Sequence, residues 1–177
     1  MNHYSVPVYY SGGITNGDTA CDFSGGQFHI REFPFESPDG QLCDTSLIRG
    51  KFTILSVSAS EDPGTDYVEM QRVLETIHNK MAVQSVMIRM AGSIPERKKY
   101  SPGITGQIRE VTGSRDRVLH FARCGLIMPG TDSLFSRWVL ADPSGRIRGY
   151  YNSDRMEDKD RLAVELGILL KEEVHEK

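Results

Sequence analysis

Trp138-Val139-Leu140-Ala141-Asp142-Pro143-Ser144-Gly145-Arg146-Ile147-Arg148-Gly149-Tyr150-Tyr151 is the stretch that decides the fold. Trp138 to Ala141 is an apolar run. In Asp142-Pro143-Ser144-Gly145, proline presets φ and glycine supplies a positive φ, which is turn chemistry. Arg146 to Arg148 then alternates polar and apolar positions. Strand, tight turn and strand together predict a β-hairpin. A short polar stretch follows, and then a helix predicted from about Asp158 to Glu173, with Leu162, Leu166, Leu169 and Leu170 on its inward face.

Upstream of the hairpin, Ser114 to Cys124 reads as a helix. Ser114 is its N-cap, Asp116 lies in its first turn, Val118, Phe121 and Ala122 face inward, and Gly125 stops it. Residues 91–113 carry Ile94-Pro95 and Ser101-Pro102-Gly103, which break any long element. Phe52 to Ser58 and Val83 to Met90 are compact apolar runs that predict buried central strands. Between them a helix is predicted from near Asp66, with Glu69 completing a capping box and Tyr67, Met70, Leu74, Ile77 and Met81 forming its apolar stripe. A strand, a helix and a strand in this order make a βαβ unit, so the two strands are expected to be parallel. His29 to Phe35 and Gln41 to Cys43, joined by Ser37-Pro38-Asp39-Gly40, predict an N-terminal hairpin. The order hairpin, β, α, β, α, β-hairpin, α is that of a thioredoxin-like three-layer α/β/α fold with a central mixed sheet. Residues 1–26, rich in Gly, Ser, Thr and Asn, are expected to be an irregular lead-in, and 27–177 a single domain.

Composition narrows the function classes. The 177-residue chain carries a net charge of -3, which gives no electrostatic reason to bind nucleic acid or an anionic membrane. No stretch approaches the roughly 20 apolar residues of a membrane span. Met1-Asn2-His3-Tyr4-Ser5 shows neither a charged leader nor an apolar signal core, which leaves open a cytoplasmic protein or one that has shed a leader. Cys21, Cys43 and Cys124 are too few for a disulfide scaffold and too scattered for a zinc site. They allow one Cys21–Cys43 disulfide, closing a loop of about twenty residues worth about 3 kcal/mol. They equally allow three free, partly buried thiols.

Three blocks carry a resemblance to a known family. The first is Phe33-Pro34-Phe35-Glu36-Ser37-Pro38-Asp39-Gly40 with Leu47-Ile48-Arg49-Gly50-Lys51. The second is Val111-Thr112-Gly113-Ser114 with the helix after it, ending Gly125-Leu126-Ile127-Met128-Pro129. The third and most specific is Leu140 to Tyr151 with the helix over Leu162–Leu170. Over roughly residues 30–172 the chain resembles the Sco/SenC family, thioredoxin-fold proteins of copper delivery to cytochrome oxidase, and within it the Bacteroidetes-type members. The resemblance implies an extracytoplasmic, periplasmic setting and protein partners among membrane respiratory or copper proteins. It also implies three copper ligands: two cysteines in a CxxxC loop between the first central strand and its helix, and a histidine shortly before the DP-x-G hairpin.

None of the three stands in this sequence. The loop reads Ser58-Ala59-Ser60-Glu61-Asp62-Pro63-Gly64-Thr65-Asp66, and the segment before the hairpin reads Thr131-Asp132-Ser133-Leu134-Phe135-Ser136. Ser60, Glu61, Asp62, Thr65, Asp66, Asp132 and Ser133 therefore occupy a degenerate family site. Hydroxyls and carboxylates do not replace thiolates for Cu(I), and serine cannot exchange disulfides. No resident metal or cofactor is expected. Glu61, Asp62, Asp66 and Asp132 could form a hard-cation site, or simply an acidic loop and a helix cap. His3, His29, His78, His120 and His175 all lie away from the family's ligand position. Met70, Met81, Met87, Met90 and Met128 and Cys124 are expected in the core. The sequence thus supports a non-catalytic binding or assembly module. The alternative is a thiol-redox or electron-transfer protein that has moved its chemistry to Cys21 and Cys43.

Overall fold

The computed structural model describes Cys21 and residues 29–58, 64–77, 79–91, 107–128 and 135–175. Apart from Cys21, the expected lead-in over residues 1–26 lies outside them. The framework is a five-stranded sheet: β1 Phe52–Ser58, β2 Val83–Met90, β3 Ile108–Gly113, β4 Arg137–Ala141 and β5 Ile147–Asn152. In space the strands run β3-β2-β1-β4-β5. Every residue of β1 is buried, as befits a β-branched and apolar run at the centre of a sheet covered on both faces. β1 pairs parallel with β2, and β2 parallel with β3. β4 joins β1 antiparallel, with Trp138 opposite Ser56, and β5 returns against β4. The βαβ expectation and the hairpin expectation both hold.

Among the described residues three helices cover the sheet: α1 Gly64–Glu75, α2 Arg115–His120 and α3 Met156–His175. α1 and α3 lie on one face, where Met70, Leu74, Leu162, Leu166 and Leu169 pack on Phe52, Ile54, Trp138 and Tyr151. α2 and the segment 29–48 lie on the other, where Ile30, Phe33, Phe35, Ile48, Val118 and Phe121 pack on Leu55, Val86, Ile88 and Val139. Phe33, Phe35 and Phe121 meet edge to face with centroids 4.9–5.7 Å apart. This is the three-layer thioredoxin-like architecture with a mixed sheet. The N-terminal hairpin is present as a bridge from Glu36 to Leu42, and a second bridge from Glu36 to Thr112 ties it to β3. Burying the residues of the two apolar layers contributes about 1.5–3 kcal/mol for each large side chain.

The β4–β5 turn is held by one carboxylate. Asp142 is 2% exposed and accepts hydrogen bonds from the N–H groups of Ser144 and Arg146, each at 3.0 Å, and from Arg146 Nε at 2.6 Å. Arg148 approaches the same oxygen as Arg146 Nε at 3.5 Å. Gly145 takes φ +82°, the left-handed value its turn position requires. The turn is fastened to the rest of the fold by Gly50 N–H on Pro143 O and Ile30 N–H on Gly145 O, both at 2.9 Å. The ladder register shifts between Leu140 and Ala141, so Ile147 faces the α2 layer while Tyr151 faces the α3 layer. There the Tyr151 hydroxyl donates to the buried Glu165 carboxylate at 2.5 Å, with the Arg161 guanidinium 4.4 Å from the ring centroid.

The edge strands are not bare. Thr112 of β3 exchanges backbone hydrogen bonds with Glu36 at 2.7 and 2.9 Å. In β5, Arg161 donates to the Tyr150 carbonyl at 2.8 Å, and the Asn152 N–H donates to Asp158 Oδ2 at 2.7 Å.

Four expectations change. α1 starts at Gly64, so Asp66 lies inside its first turn, and Glu69 forms no capping box. Glu69 instead pairs with Arg72 at 2.7 Å and with Lys159 of α3 at 2.8 Å. Met81 is 82% exposed, because α1 ends at Glu75 and Met81 falls in the separate 3-10 turn Lys80–Ala82. The other core methionines, Met70, Met87, Met90 and Met128, are buried as expected. The third parallel strand, β3, lies in the stretch read only as broken, since a single large apolar side chain, Val111, is buried in it. α3 extends over Met156–His175, slightly beyond both expected ends. The Ser114 cap is as expected, with its hydroxyl accepting from Arg117 N–H at 3.3 Å.

Candidate functional site

The carboxyl ends of β1 and β2 and the first turn of α1 converge. Open α/β sheets bind ligands outside the carboxyl ends of their strands, so this end is the candidate site. β1 delivers Ser58 there, fully inside the sheet and 3% exposed. Its hydroxyl donates to Asp66 Oδ2 of α1 at 3.0 Å. Burial pushes the Asp66 carboxyl above the ordinary carboxylate value. The Ser58 hydrogen bond opposes that rise, Asp154 adds to it, and Arg89 opposes it. Arg89, from β2, donates to Glu110 Oε1 of β3 at 2.9 Å, while its buried Nε meets no hydrogen-bond partner among the described residues.

The site therefore holds hydroxyl, carboxylate and guanidinium groups. Arg89 is one cation set beside Asp66, Glu110 and Asp154. These groups can bind through hydrogen bonds and charge. They contain no sulfur nucleophile and no soft metal ligand. Among the described residues, no group of three or more His, Cys, Asp or Glu is arranged to hold a metal ion.

Of the residues expected from sequence, Asp66 is here, and Thr65 is a backbone position in the first turn of α1. Ser60, Glu61, Asp62, Asp132 and Ser133 lie outside the described residues. The segments on either side of them do end at this place: Ser58 closes β1, and Arg137 opens β4 opposite its carboxyl end. Arg89 and Glu110 are not among the residues that the sequence pattern identifies. Arg89 has a signal, a lone charge in the otherwise uncharged run Val83–Met90. Glu110 has none, because β3 carries too little apolar pattern to predict a strand.

The cysteines require a correction. Cys21 is bonded to Cys124, not to Cys43, with Cα atoms 5.2 Å apart, and Cys43 is a free thiol. The N–H of Cys43 is tied to Phe35 O at 2.8 Å within the hairpin, and its sulfur points to Gln41 O at 3.8 Å. Cys124 sits in Phe121–Gly125, a π-helical turn continuing α2, so it is a bridge position and not a core thiol. About 15 Å of helix separates it from Ser114, at the start of α2. His120, one turn before Cys124 and exposed, places Nδ1 3.7 Å from its sulfur. His29 forms a bridge with Arg146 and is also exposed. His3 and His78 lie outside the described residues.

No protein-family model matches the chain, and no curated protein matches it in sequence. Solved structures do match its fold. Arabidopsis thaliana ScoI with copper bound superposes with a TM-score of 0.59 at 19% identity, over 80% of this chain and 97% of that one. BsSco, described as a member of the Sco family of cytochrome c oxidase assembly proteins with a disulfide switch, gives 0.58 at 14% identity, over 77% and 90%. A SCO1/SenC family lipoprotein from Bacillus anthracis gives 0.56 at 17% identity, over 77% and 95%. The fold is that of the Sco/SenC structures. No helix among the described residues is long and apolar enough to cross a membrane.

Proposed function

We propose that this chain is a Sco-like module whose family site has lost copper and dithiol chemistry, and that it works by binding a protein. The observation that carries the reading is the Ser58–Asp66 hydrogen bond at 3.0 Å, at the junction of β1 and α1, in a sequence with no cysteine anywhere from 58 to 66. Cu(I) prefers thiolate and imidazole ligands, and the oxygen ligands here suit it poorly. Disulfide exchange needs a thiolate, which a hydroxyl cannot supply. The chain then carries no resident cofactor, and the end of the sheet where β1 closes at Ser58 and β4 opens at Arg137 serves as a recognition surface. The matched lipoprotein and the matched oxidase-assembly protein support an extracytoplasmic setting, with a respiratory or copper-handling protein as partner.

The test is an anaerobic Cu(I) titration of the disulfide-intact protein against a chromophoric chelator. The expected result is no stoichiometric binding at sub-micromolar affinity. One equivalent bound at that affinity overturns the reading.

A further inference from the structure

The bond between Cys21 and Cys124 joins a position far out in the N-terminal segment to the last turn of a helix, 103 residues away. Three features set it apart from a buried structural staple. Both cysteines are only half-buried, not sealed in the core. Cys124 lies in a π-helical turn, in which Leu126 N–H reaches Phe121 O at 2.9 Å and Met128 N–H reaches Ala122 O at 2.9 Å. Such turns recur at functional sites. Most directly, His120 Nδ1 stands 3.7 Å from Cys124 Sγ on the same exposed helix face.

That histidine bears on which sulfur leaves. The negative end of a helix favours a cation and opposes a thiolate. A thiolate at Cys124 is therefore disfavoured by the helix alone, and His120 one turn back, when protonated, is the charge that offsets it. We propose that Cys21–Cys124 is a thiol–disulfide exchange site, with a thiol reductant as its co-substrate and His120 as the residue that stabilises the departing Cys124 sulfur. The site is separate from the oxygen-lined end of β1, and it does not depend on the function proposed for that end.

The steps balance. A thiolate R–S⁻ attacks Cys21 Sγ, the Cys21–Cys124 bond breaks, and its electron pair leaves on Cys124 Sγ, which pairs with or takes a proton from the His120 imidazolium. A second R–S⁻ attacks the R sulfur of the mixed disulfide and releases Cys21 as a thiolate, which takes a proton from water. The protein disulfide gains two electrons, and two R–SH become R–S–S–R. The reverse sequence oxidises a partner's thiols.

The experiment equilibrates the Cys43→Ser protein in glutathione buffers of varied ratio, traps free thiols by alkylation and counts them by mass. In this background Cys43 cannot scramble the bond. The expected result is reversible reduction of the folded protein within the glutathione range. His120→Asn is expected to move the equilibrium constant about tenfold toward the disulfide, which is about 30 mV for a two-electron couple. His120→Lys keeps a cation and is expected to stay within threefold of the Cys43→Ser parent. A bond that yields only after denaturation overturns the proposal. So does a His120→Asn shift below threefold, or a His120→Lys protein that behaves like His120→Asn. Position 120 is exposed, so these variants are expected to fold, and circular dichroism checks that they do.

Discussion

Replacing Asp142 by alanine should be among the most damaging single changes outside the apolar layers. The carboxylate is 2% exposed and satisfies two backbone N–H groups at 3.0 Å and Arg146 Nε at 2.6 Å. A hydrogen bond to a charged group is worth about 1.5–3 kcal/mol. Taking the low end for the two backbone donors gives about 3 kcal/mol. Arg146 is 36% exposed and can rehydrate, so its share is close to that of a surface pair, about 0–1 kcal/mol. Arg148 is 11% exposed and loses part of its compensation, which adds a similar amount. The sum is about 4 kcal/mol. At about 2–4 °C per kcal/mol for a chain of this size, the melting temperature falls by about 8–16 °C. Asp142→Asn keeps a neutral acceptor for the turn N–H groups, so about half that loss is expected. The single tryptophan, Trp138, is buried in the adjoining strand and reports the transition in a urea titration. A loss under about 1 kcal/mol for Asp142→Ala, at an unchanged m-value, would refute the view that this carboxylate organises the hairpin.

Other perturbations separate further parts of the fold. Asp66 has a folded-state pKa above its unfolded value, so its ionisation works against the fold. Stability falls as pH rises through the window between the two values, and the penalty is complete above the folded value. Asp66→Asn should accordingly match or exceed wild-type stability at pH 7 and lose that relative advantage below the ordinary carboxylate range. Paired thermal melts at pH 7 and pH 3 check the sign. An alanine Cβ at Gly149 would stand 2.6 Å from Tyr151 Cζ, and Tyr151 is pinned by Glu165. Gly149→Ala should therefore cost about 1–3 kcal/mol in urea denaturation, as overpacking does. Double replacement of Cys21 and Cys124 by serine opens a loop of about a hundred residues, and chain entropy sets the expected loss at up to about 4.7 kcal/mol by the same assay.

The architecture was legible wherever burial and periodicity agreed. β1 and β2 are runs buried on both faces, and their observed limits coincide with the apolar runs Phe52–Ser58 and Val83–Met90. Leu162, Leu166, Leu169 and Leu170 all point inward because a helix against a sheet repeats its stripe every three to four residues. β3 was not legible, since Arg109, Glu110 and Thr112 give an edge strand little apolar pattern to detect. Met81 was misplaced because a helical stripe extrapolates past the point where the helix stops. The cysteine pairing was hidden for a different reason. Cys43 is nearer to Cys21 in sequence, but α2 and the segment 29–48 cover the same face of the sheet, and the long-range partner prevails. At the candidate site, Asp66 could be named from sequence alone. Its neighbours Arg89 and Glu110 required the parallel register of β2 and β3 to be known.

The two edge strands constrain how any partner can approach. Sheet proteins commonly recruit peptides by strand addition, and unguarded edges also seed aggregation. Here the outer rim of β3 is occupied at Thr112 by Glu36, and backbone groups of β5 are taken at Tyr150 and Asn152 by Arg161 and Asp158 of α3. An extended peptide pairing at Tyr150 or Asn152 would have to displace a guanidinium or a carboxylate, and one pairing at Thr112 would have to displace the Glu36 backbone. Strand addition at these positions is thereby disfavoured, both for a peptide and for a second copy of the sheet.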